Sequence, residues 1–478
     1  MKAIQTFWTC GRSLLEHNFW WYNPQCHLMS WALSCLSLHE NYDEVILYTD
    51  VNGYKVFGEL LQLPYTDIIV QYEGLSCPEP HWAYPKMLTY SLQQEPFIHV
   101  DGDVFLPFRL NPGIESAGLI AQNREKGSDY YKSIMNDVLR RNLILPGYLR
   151  EALMRESIPS YNAGVLGGND LDFLHEYCQI AFRIMEENRL LESCNSKVCV
   201  NNNILLEQIL FAVLAEVRHR SVATVIEGSV RDNGYSYGCF CNFYKYDFTQ
   251  LMHLIGGHKR NPRVCDMLGK ILLDKYPEYY RRIVALFPQN NLRFQNETLH
   301  ISTPDMSVQM CIAHYQDYLC SLFSSWNDLK TEELYLLEKR LSAYPHFLNA
   351  KVEVQKTFVI GKNPYLSLFE IPSFWPEEAG ATLRKRINPG RADCPDVSDI
   401  VCIPCLLGKG YKELLISDLC YNILILLNVE MSFGDLYDRL RFCFSPDVRD
   451  NEESVYRMVM TEIEYLCYSG QIYAYLPS

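Results

Sequence analysis

Long apolar runs are missing from this chain. No stretch approaches about 18 uninterrupted apolar residues, the length a membrane-spanning helix needs. No apolar core long enough for a secretory signal follows Lys2, so Met1 to Cys10 is expected to form a strand. An excess of positive charge is missing too: 43 Lys and Arg stand against 57 Asp and Glu, a net −14. That balance excludes a general nucleic-acid surface, and no nucleic-acid partner is expected. There is no internal repeat and no low-complexity tract. A glycine-rich phosphate loop is absent, since Thr9-Cys10-Gly11-Arg12 is a poor version of one. Cysteine is plentiful, at 18, but a zinc pattern is not. Cys239/Cys241 and Cys402/Cys405 have no second pair at zinc-ribbon distance. Cys402-Ile-Pro-Cys405 lies in an apolar, strand-like run and reads as buried thiols rather than a redox motif. Reduced thiols and a cytoplasmic location, with no transmembrane segment, are expected.

What is present is enough for two or three domains: 478 residues, 48% hydrophobic and 21% charged. The most telling stretch is Phe97 to Phe105, F-I-H-V-D-G-D-V-F. Its β-formers read as a strand buried on both faces. Positions two apart share a face, so Asp101 and Asp103 can point the same way. Two carboxylates at a buried strand end need a partner, and a hard divalent cation holding a diphosphate suits them. A surface turn that contains D-G-D is the plain alternative.

Strand-like segments at Ala3–Cys10, Glu44–Thr49, Thr66–Gln71 and Phe97–Val100 alternate with helical ones at Gln25–Leu38, Lys55–Leu63 and His81–Gln94. This pattern predicts an α/β fold with a parallel, doubly wound sheet. Ligands in such sheets gather at the carboxyl ends of the strands. Thr9, Thr49, Asp50, Asp101 and Asp103 all fall there. Gly118–Ala121 reads as a further strand and Ser128–Arg150 as a helical excursion. Ser160–Asn169, S-Y-N-A-G-V-L-G-G-N, has small residues that let a ligand approach the backbone. A plain turn into a core strand reads the same way. Helices are expected at Asp172–Asn188 and Asn201–Val217, with Asn203 and Glu207 on one face. In Leu251–Arg260, His253, Gly256 and Lys259 recur every three residues. An imidazole suits Mn²⁺ beside carboxylates, and a lysine suits a diphosphate.

In order along the chain stand Asp101-x-Asp103, Asn162-Ala163-Gly164, Glu207-Gln208 and His253-x-x-Gly256-x-x-Lys259. This series resembles glycosyltransferase family 8, of the GT-A fold, over roughly the first 287 residues. The resemblance implies a Rossmann-like domain that uses a nucleotide sugar, with a UDP-sugar the expected donor. It implies Mn²⁺, or Mg²⁺, on Asp101, Asp103 and His253. It places Lys86, Gly256 and Lys259 on the donor, to which Thr9 and Asp50 are added by their place at the strand ends, and Glu207, Gln208 and Asn162 are expected at the reacting sugar. Retention of anomeric configuration follows from the same resemblance. The family usually has Asp where Glu207 stands, and the aromatic residues that often follow the motif lysine are replaced by Arg260-Asn261-Pro262.

Beyond residue 287 a connecting region is expected, to about 399. Gln289–Thr303 is polar and irregular, Asp305–Ser324 and Leu329–Ala343 read as helices, and Lys356–Ile371 is strand-like. Phe374–Asp399, with Arg384-Lys385-Arg386, reads as a linker or long loop. From residue 400 a small α+β unit follows: a hairpin around Gly408-Lys409-Gly410, three helices, and a terminal strand at Gln471–Tyr475. It resembles PqqD-like winged-helix domains, which hold a precursor peptide by strand addition. The resemblance implies that the acceptor is a ribosomally made peptide. A winged-helix oligomerisation module fits the pattern too. Two other functions stay open: a nucleotidyltransferase, and a non-catalytic peptide-binding scaffold on the same fold.

Overall fold

The computed structural model describes residues 1–126, 129–192, 195–231, 234–287, 305–388 and 397–477. The chain forms two compact units, Met1–Val264 and Cys265–Ser478.

The first unit is built on one mixed, mostly parallel sheet. Its strands are β1 (Lys2–Thr6), β2 (Val45–Thr49), β3 (Asp67–Val70), β4 (Phe97–Val100), β6 (Leu119–Lys126), β7 (Pro159–Gly168), β8 (Val222–Thr224) and β9 (Ser229–Arg231). The order is β3-β2-β1-β4-β7-β6-β8, with β9 also on β6. β1, β2, β3 and β4 pair in parallel, while β7 runs antiparallel to both β4 and β6. The chain winds outward from β1 to β3, then crosses back to β4. The crevice between the ends of β1 and β4 is therefore the topological switch point, where open α/β sheets bind ligands. A second, two-stranded ribbon joins β5 (Val104–Phe105) to β10 (Met252–His253).

The helix Pro24–Asn41 shows how the switch point is fixed. Asn23 caps it, accepting from the Cys26 N–H. Its buried serines are not solvated. Ser30 donates to the Gly102 carbonyl at 2.6 Å and Ser34 to the Val104 carbonyl at 2.7 Å. These bonds satisfy carbonyls in the turn after β4 and at the start of β5. Between the serines, Trp31 lays its indole against Gly102, where a Cβ would overlap the ring. The glycine of D-G-D is thus set by packing.

The helix Ser196–Val217 is, among the described residues, the stretch long and apolar enough to cross a membrane, and 83% of its most apolar window is buried inside the protein. Its Asn triad is spent on neighbours. Asn201 bonds Asp137, Asn202 accepts from Arg141, and Asn203 donates to the Pro80 carbonyl. Ile204–Ile209 adopts π-helical geometry within it. Such wide turns recur at functional sites, and this one carries Glu207 and Gln208.

The second unit starts earlier than the sequence suggests. Asp266 pairs with Lys412 at 2.8 Å, and Lys270 donates to the Cys467 and Tyr468 carbonyls. The helix Pro262–Lys275 is therefore tied to residues far downstream. Two sheets follow, β12-β13-β14 (Ser367–Glu370, Val397–Pro404, Tyr411–Ser417) and β15-β11-β16 (Met431–Ser432, Val359–Lys362, Ile472–Tyr475). Both use a strand from before residue 399, so the boundary expected there does not separate independent cores. Phe374–Asp399, expected as a linker, contains the helix Glu377–Ile387. Its Leu383 joins Phe323, Phe369 and Tyr411 in one apolar cluster, and Arg386 turns inward to Glu413 at 2.7 Å. The packed face of this helix outweighs the turn-like residues around it. Gln289–Thr303 lies outside the described residues. Cys402 and Cys405 are both buried and unbridged. The hairpin β13–β14 and the helices Asp418–Leu426, Phe433–Arg441 and Glu452–Ser469 complete the unit.

The packing at Gly102 gives a first expectation. Gly102→Ala should cost about 1–3 kcal/mol, the usual price of overpacking, and lower the thermal midpoint. An unchanged midpoint would mean that the indole moves freely and does not define the turn.

Candidate functional site

The site is assembled around the turn after β4. Asp101 continues β4, donating its N–H to the Gly164 carbonyl at 2.9 Å, and Val104 N–H closes the turn onto the Asp101 carbonyl at 3.0 Å. His253 arrives on β10, paired in register with Val104. Leu254 N–H donates to the Asp103 carbonyl at 2.9 Å. A residue far along the chain is thereby locked beside Asp103 by backbone bonds.

Each carboxylate has a cation. Lys86 donates to Asp101 Oδ2 at 2.8 Å and to Glu207 Oε1 at 2.7 Å. Lys259 donates to Asp103 Oδ2 at 2.7 Å. The Asp101 and Asp103 side chains remain 21% and 14% exposed, so a solute can still reach them. Burial raises Asp101, and Glu207 and Asp103 add to the rise against the pull of Lys86, leaving it at about 7. Burial works on Asp103 as well, but Lys259 and then His253 bring it down to about 2. Burial lowers His253 to about 4, so the ring is neutral near pH 7. Three carboxyl groups face two ammonium groups here, and the proton that Asp101 holds near pH 7 offsets part of the third charge.

These residues fit a divalent cation in a specific way. Nδ1 of His253 lies 2.8 Å from Gln122 Oε1, an acceptor, so Nδ1 carries the proton. Nε2 then presents a lone pair, and it stands 3.6 Å from Asp103 Oδ1. Two lone-pair atoms face each other with no proton to share, an arrangement a cation satisfies. Among the described residues no group of three or more His, Cys, Asp and Glu side chains is gathered tightly enough to hold an ion. Asp103 and His253 face one another, while Asp101 is engaged by Lys86.

The other expected residues fall as follows. Thr9 and Asp50 meet at the ends of β1 and β2, but they bind each other. Thr9 donates from its N–H at 2.8 Å and its hydroxyl at 2.7 Å to Asp50 Oδ2, and Asp50 Oδ1 caps Gly53 N–H at 3.0 Å. Gly256 is exposed, with φ +58° and open space around it. Gln208 accepts from the Tyr131 hydroxyl at 3.0 Å. Asn162 accepts from Gly164 N–H at 2.9 Å and donates to the Tyr235 hydroxyl at 2.9 Å. The small residue Gly164 makes room for the protein itself: a Cβ there would overlap Gln122 and the His253 ring.

Several residues at the site carry no motif. His99 is fully buried, with Nδ1 3.5 Å from Asp101 Oδ1, and burial holds it well below the usual range. His27 accepts from the Trp31 indole N–H at 2.9 Å, and burial lowers it to about 3. Gln122, Asn123, Glu125 and Tyr235 surround Asn162. The sequence signal for Gln122, Asn123 and Glu125 was the polar run Q-N-R-E that follows the apolar start of β6; Tyr235 had none.

Three neutral buried histidines have a consequence for acid stability. As pH falls through about 6.5, the unfolded chain protonates these rings. Folded His253 resists to about 4 and His27 to about 3. The unfolded state then binds more protons, so stability falls with pH across this window. Asp101, raised to about 7, works in the opposite direction, one group against three. The thermal midpoint should be lower at pH 5 than at pH 7.5. An equal or higher midpoint at pH 5 would contradict the neutral assignments.

Among solved structures the chain is similar to mouse xyloside xylosyltransferase 1 (10% identity, 53% of this chain and 96% of that one, TM-score 0.30). It is similar to an active-site mutant of LgtC (13% identity, 54% and 88%, TM-score 0.28). It is similar as well to the glycosyltransferase GlyE of Streptococcus pneumoniae TIGR4 (12% identity, 54% and 55%, TM-score 0.27). No curated protein matches it in sequence. Residues 1–286, more than half of the chain and the whole of the site, match the family of unknown function DUF6734, and the protein belongs to that family.

Proposed function

We propose that the protein is a GT-A glycosyltransferase that moves a sugar from a nucleotide-diphosphate donor to an acceptor hydroxyl, with Mn²⁺ or Mg²⁺ and a UDP-sugar as the first donor to test. The observation that carries this reading is the Asp103–His253 lone-pair couple at the switch point, with Lys86 and Lys259 in the same pocket. A divalent cation, when bound, would neutralise charge on the departing diphosphate. The chain's own groups do the rest. Lys259, beside exposed Gly256 and Gly257, offers a point charge to a phosphate. Lys86 is buried between Asp101 and Glu207 and orients both carboxylates as acceptors for sugar hydroxyls. The methylene that Glu207 adds over an aspartate is taken up by reaching this lysine. Asn162 and Gln208 are held by Tyr235 and Tyr131 and present amides rather than charges. Retention at the anomeric carbon is the proposed outcome, from the family 8 order of the motifs.

A peptide is the proposed acceptor, held by the second unit as a PqqD-like winged-helix module. In support, β14 is an edge of its sheet, paired with β13 on one side and with no strand on the other among the described residues. Against it, the Tyr465 hydroxyl donates to the Leu415 carbonyl of β14 at 2.9 Å, and Lys412 of the same strand is tied to Asp266. The chain's own side chains thus reach the strand a peptide would extend. Slower hydrogen exchange at β14 on adding a precursor peptide would support a peptide acceptor. Unchanged exchange would leave a small-molecule acceptor.

The transferase reading is tested by incubation with Mn²⁺ and a panel of nucleotide sugars, following release of nucleoside diphosphate. At least one donor should turn over, and chelation should abolish turnover. Asp103→Asn should lower turnover by about tenfold or more with a small change in thermal midpoint; matched losses in both would point to a structural role. Lys259→Ala should weaken UDP binding in Mn²⁺ by about tenfold, or about 1.4 kcal/mol. Unchanged affinity would remove Lys259 from the diphosphate.

A further inference from the structure

The His253 ring ends a buried chain of directed hydrogen bonds. His253 Nδ1 donates to Gln122 Oε1 at 2.8 Å. Gln122 Nε2 donates to Asn123 Oδ1 at 3.0 Å. Asn123 Nδ2 donates to the Tyr235 hydroxyl oxygen at 3.1 Å. The Tyr235 hydroxyl in turn donates to Glu125 Oε1. All five side chains are buried. Every link runs toward the carboxylate.

A chain of amides can in principle run either way. Turned over together, Gln122 and Asn123 would offer an N–H to His253 Nδ1 and place the ring proton on Nε2, facing Asp103. Three groups with fixed roles together bias the direction, so that losing one weakens the preference. The Arg124 carbonyl can only accept, and it takes Asn123 Nδ2 at 3.2 Å. The Gly164 N–H can only donate, and it goes to Asn162 Oδ1. That turns Asn162 Nδ2 onto the Tyr235 oxygen at 2.9 Å. Glu125, as a carboxylate, only accepts, and it takes the Tyr235 proton. The phenol oxygen, with two amide donors and one acceptor, is then saturated. Asn123 Oδ1, 3.3 Å from the same hydroxyl, is its alternative acceptor. Donating there is the first step of the reversed chain.

We propose that Glu125, acting through Tyr235, Asn123 and Gln122, is a remote positioning residue that fixes the tautomer of His253, keeping the Nε2 lone pair turned toward Asp103 and so presetting the cation site. The inference rests on the reading of His253 as a cation ligand. Metal-bound histidines commonly have their second nitrogen held by such a partner, and losing it costs about 10–100-fold in metal affinity. Here the carboxylate that does so is several side chains away, and Glu125 touches no reacting atom.

The test has a readout independent of turnover. Nitrogen-15 NMR of histidine-labelled, metal-free, full-length protein reports which ring nitrogen of His253 is protonated, and titration with Mn²⁺ alone reports affinity. The native protein should show protonated Nδ1. Glu125→Gln, whose amide can donate to the Tyr235 oxygen, should mix or reverse the tautomer and weaken Mn²⁺ binding by about tenfold or more. Adding Gln122→Glu should restore protonated Nδ1, since a carboxylate beside it only accepts. Should Glu125→Gln fail to fold, Tyr235→Phe cuts the same link and should shift the tautomer likewise. A native ring protonated on Nε2, or a tautomer and Mn²⁺ affinity indifferent to Glu125, overturns the proposal. A tautomer that follows Glu125 in a protein that binds no Mn²⁺ would overturn the cation site and uphold the relay.

Discussion

Charge at the end of a buried strand is the constraint on which the first unit depends. Asp101 and Asp103 leave β4 at the one point of the sheet where neighbouring connections diverge. Carboxylates there lose hydration and need compensation. The protein supplies it unevenly. Lys86 and Lys259 are close enough to bond, but with Glu207 in the pocket two lysines serve three carboxyl groups, and burial together with Glu207 lifts Asp101 to about 7. The remaining atoms that could help, Nε2 of His253 and Oδ1 of Asp103, both offer electrons. That pairing of electron-rich atoms is what the proposed cation would satisfy.

Much of the surrounding structure holds that turn still. The helix Pro24–Asn41 gives up an apolar face so that its serines can bond turn carbonyls. Its tryptophan excludes any side chain at Gly102. The β5–β10 ribbon fixes the His253 backbone by strand pairing, and Gln122 holds its ring. Gly164 is small because Gln122 and His253 lie across it. Rigid elements support the site from several directions, as a preorganised site requires.

The sequence made the sheet legible because buried parallel strands are short, apolar and separated by helices. β1 to β4 fall within the segments read that way. The residues proposed for metal and phosphate stood out by their spacing, and Asp103, His253 and Lys259 do meet. Thr9 and Asp50 sit at the strand ends as read, but position alone could not show that they satisfy each other. The relay behind His253 was not legible. Its members lie on β6 and in the loop at Tyr235, and their direction depends on Glu125 together with a backbone carbonyl and a backbone N–H that carry no sequence signature. In the second unit the turn-like residues of Phe374–Asp399 masked a helix whose apolar face finds a partner only in the folded state. The helix Pro262–Lys275 was read with the first unit because it follows the last motif. Its half-buried ion pair with Lys412 depends on a strand far downstream.

The central claim is that Asp103 and His253 share a divalent cation. A crystal soaked in Mn²⁺ and UDP, measured at the manganese absorption edge, tests it directly. The account predicts one strong anomalous peak within about 2.0–2.6 Å of both Asp103 Oδ1 and His253 Nε2, with the diphosphate beside Lys259. A peak elsewhere, or none while UDP is bound, would contradict it.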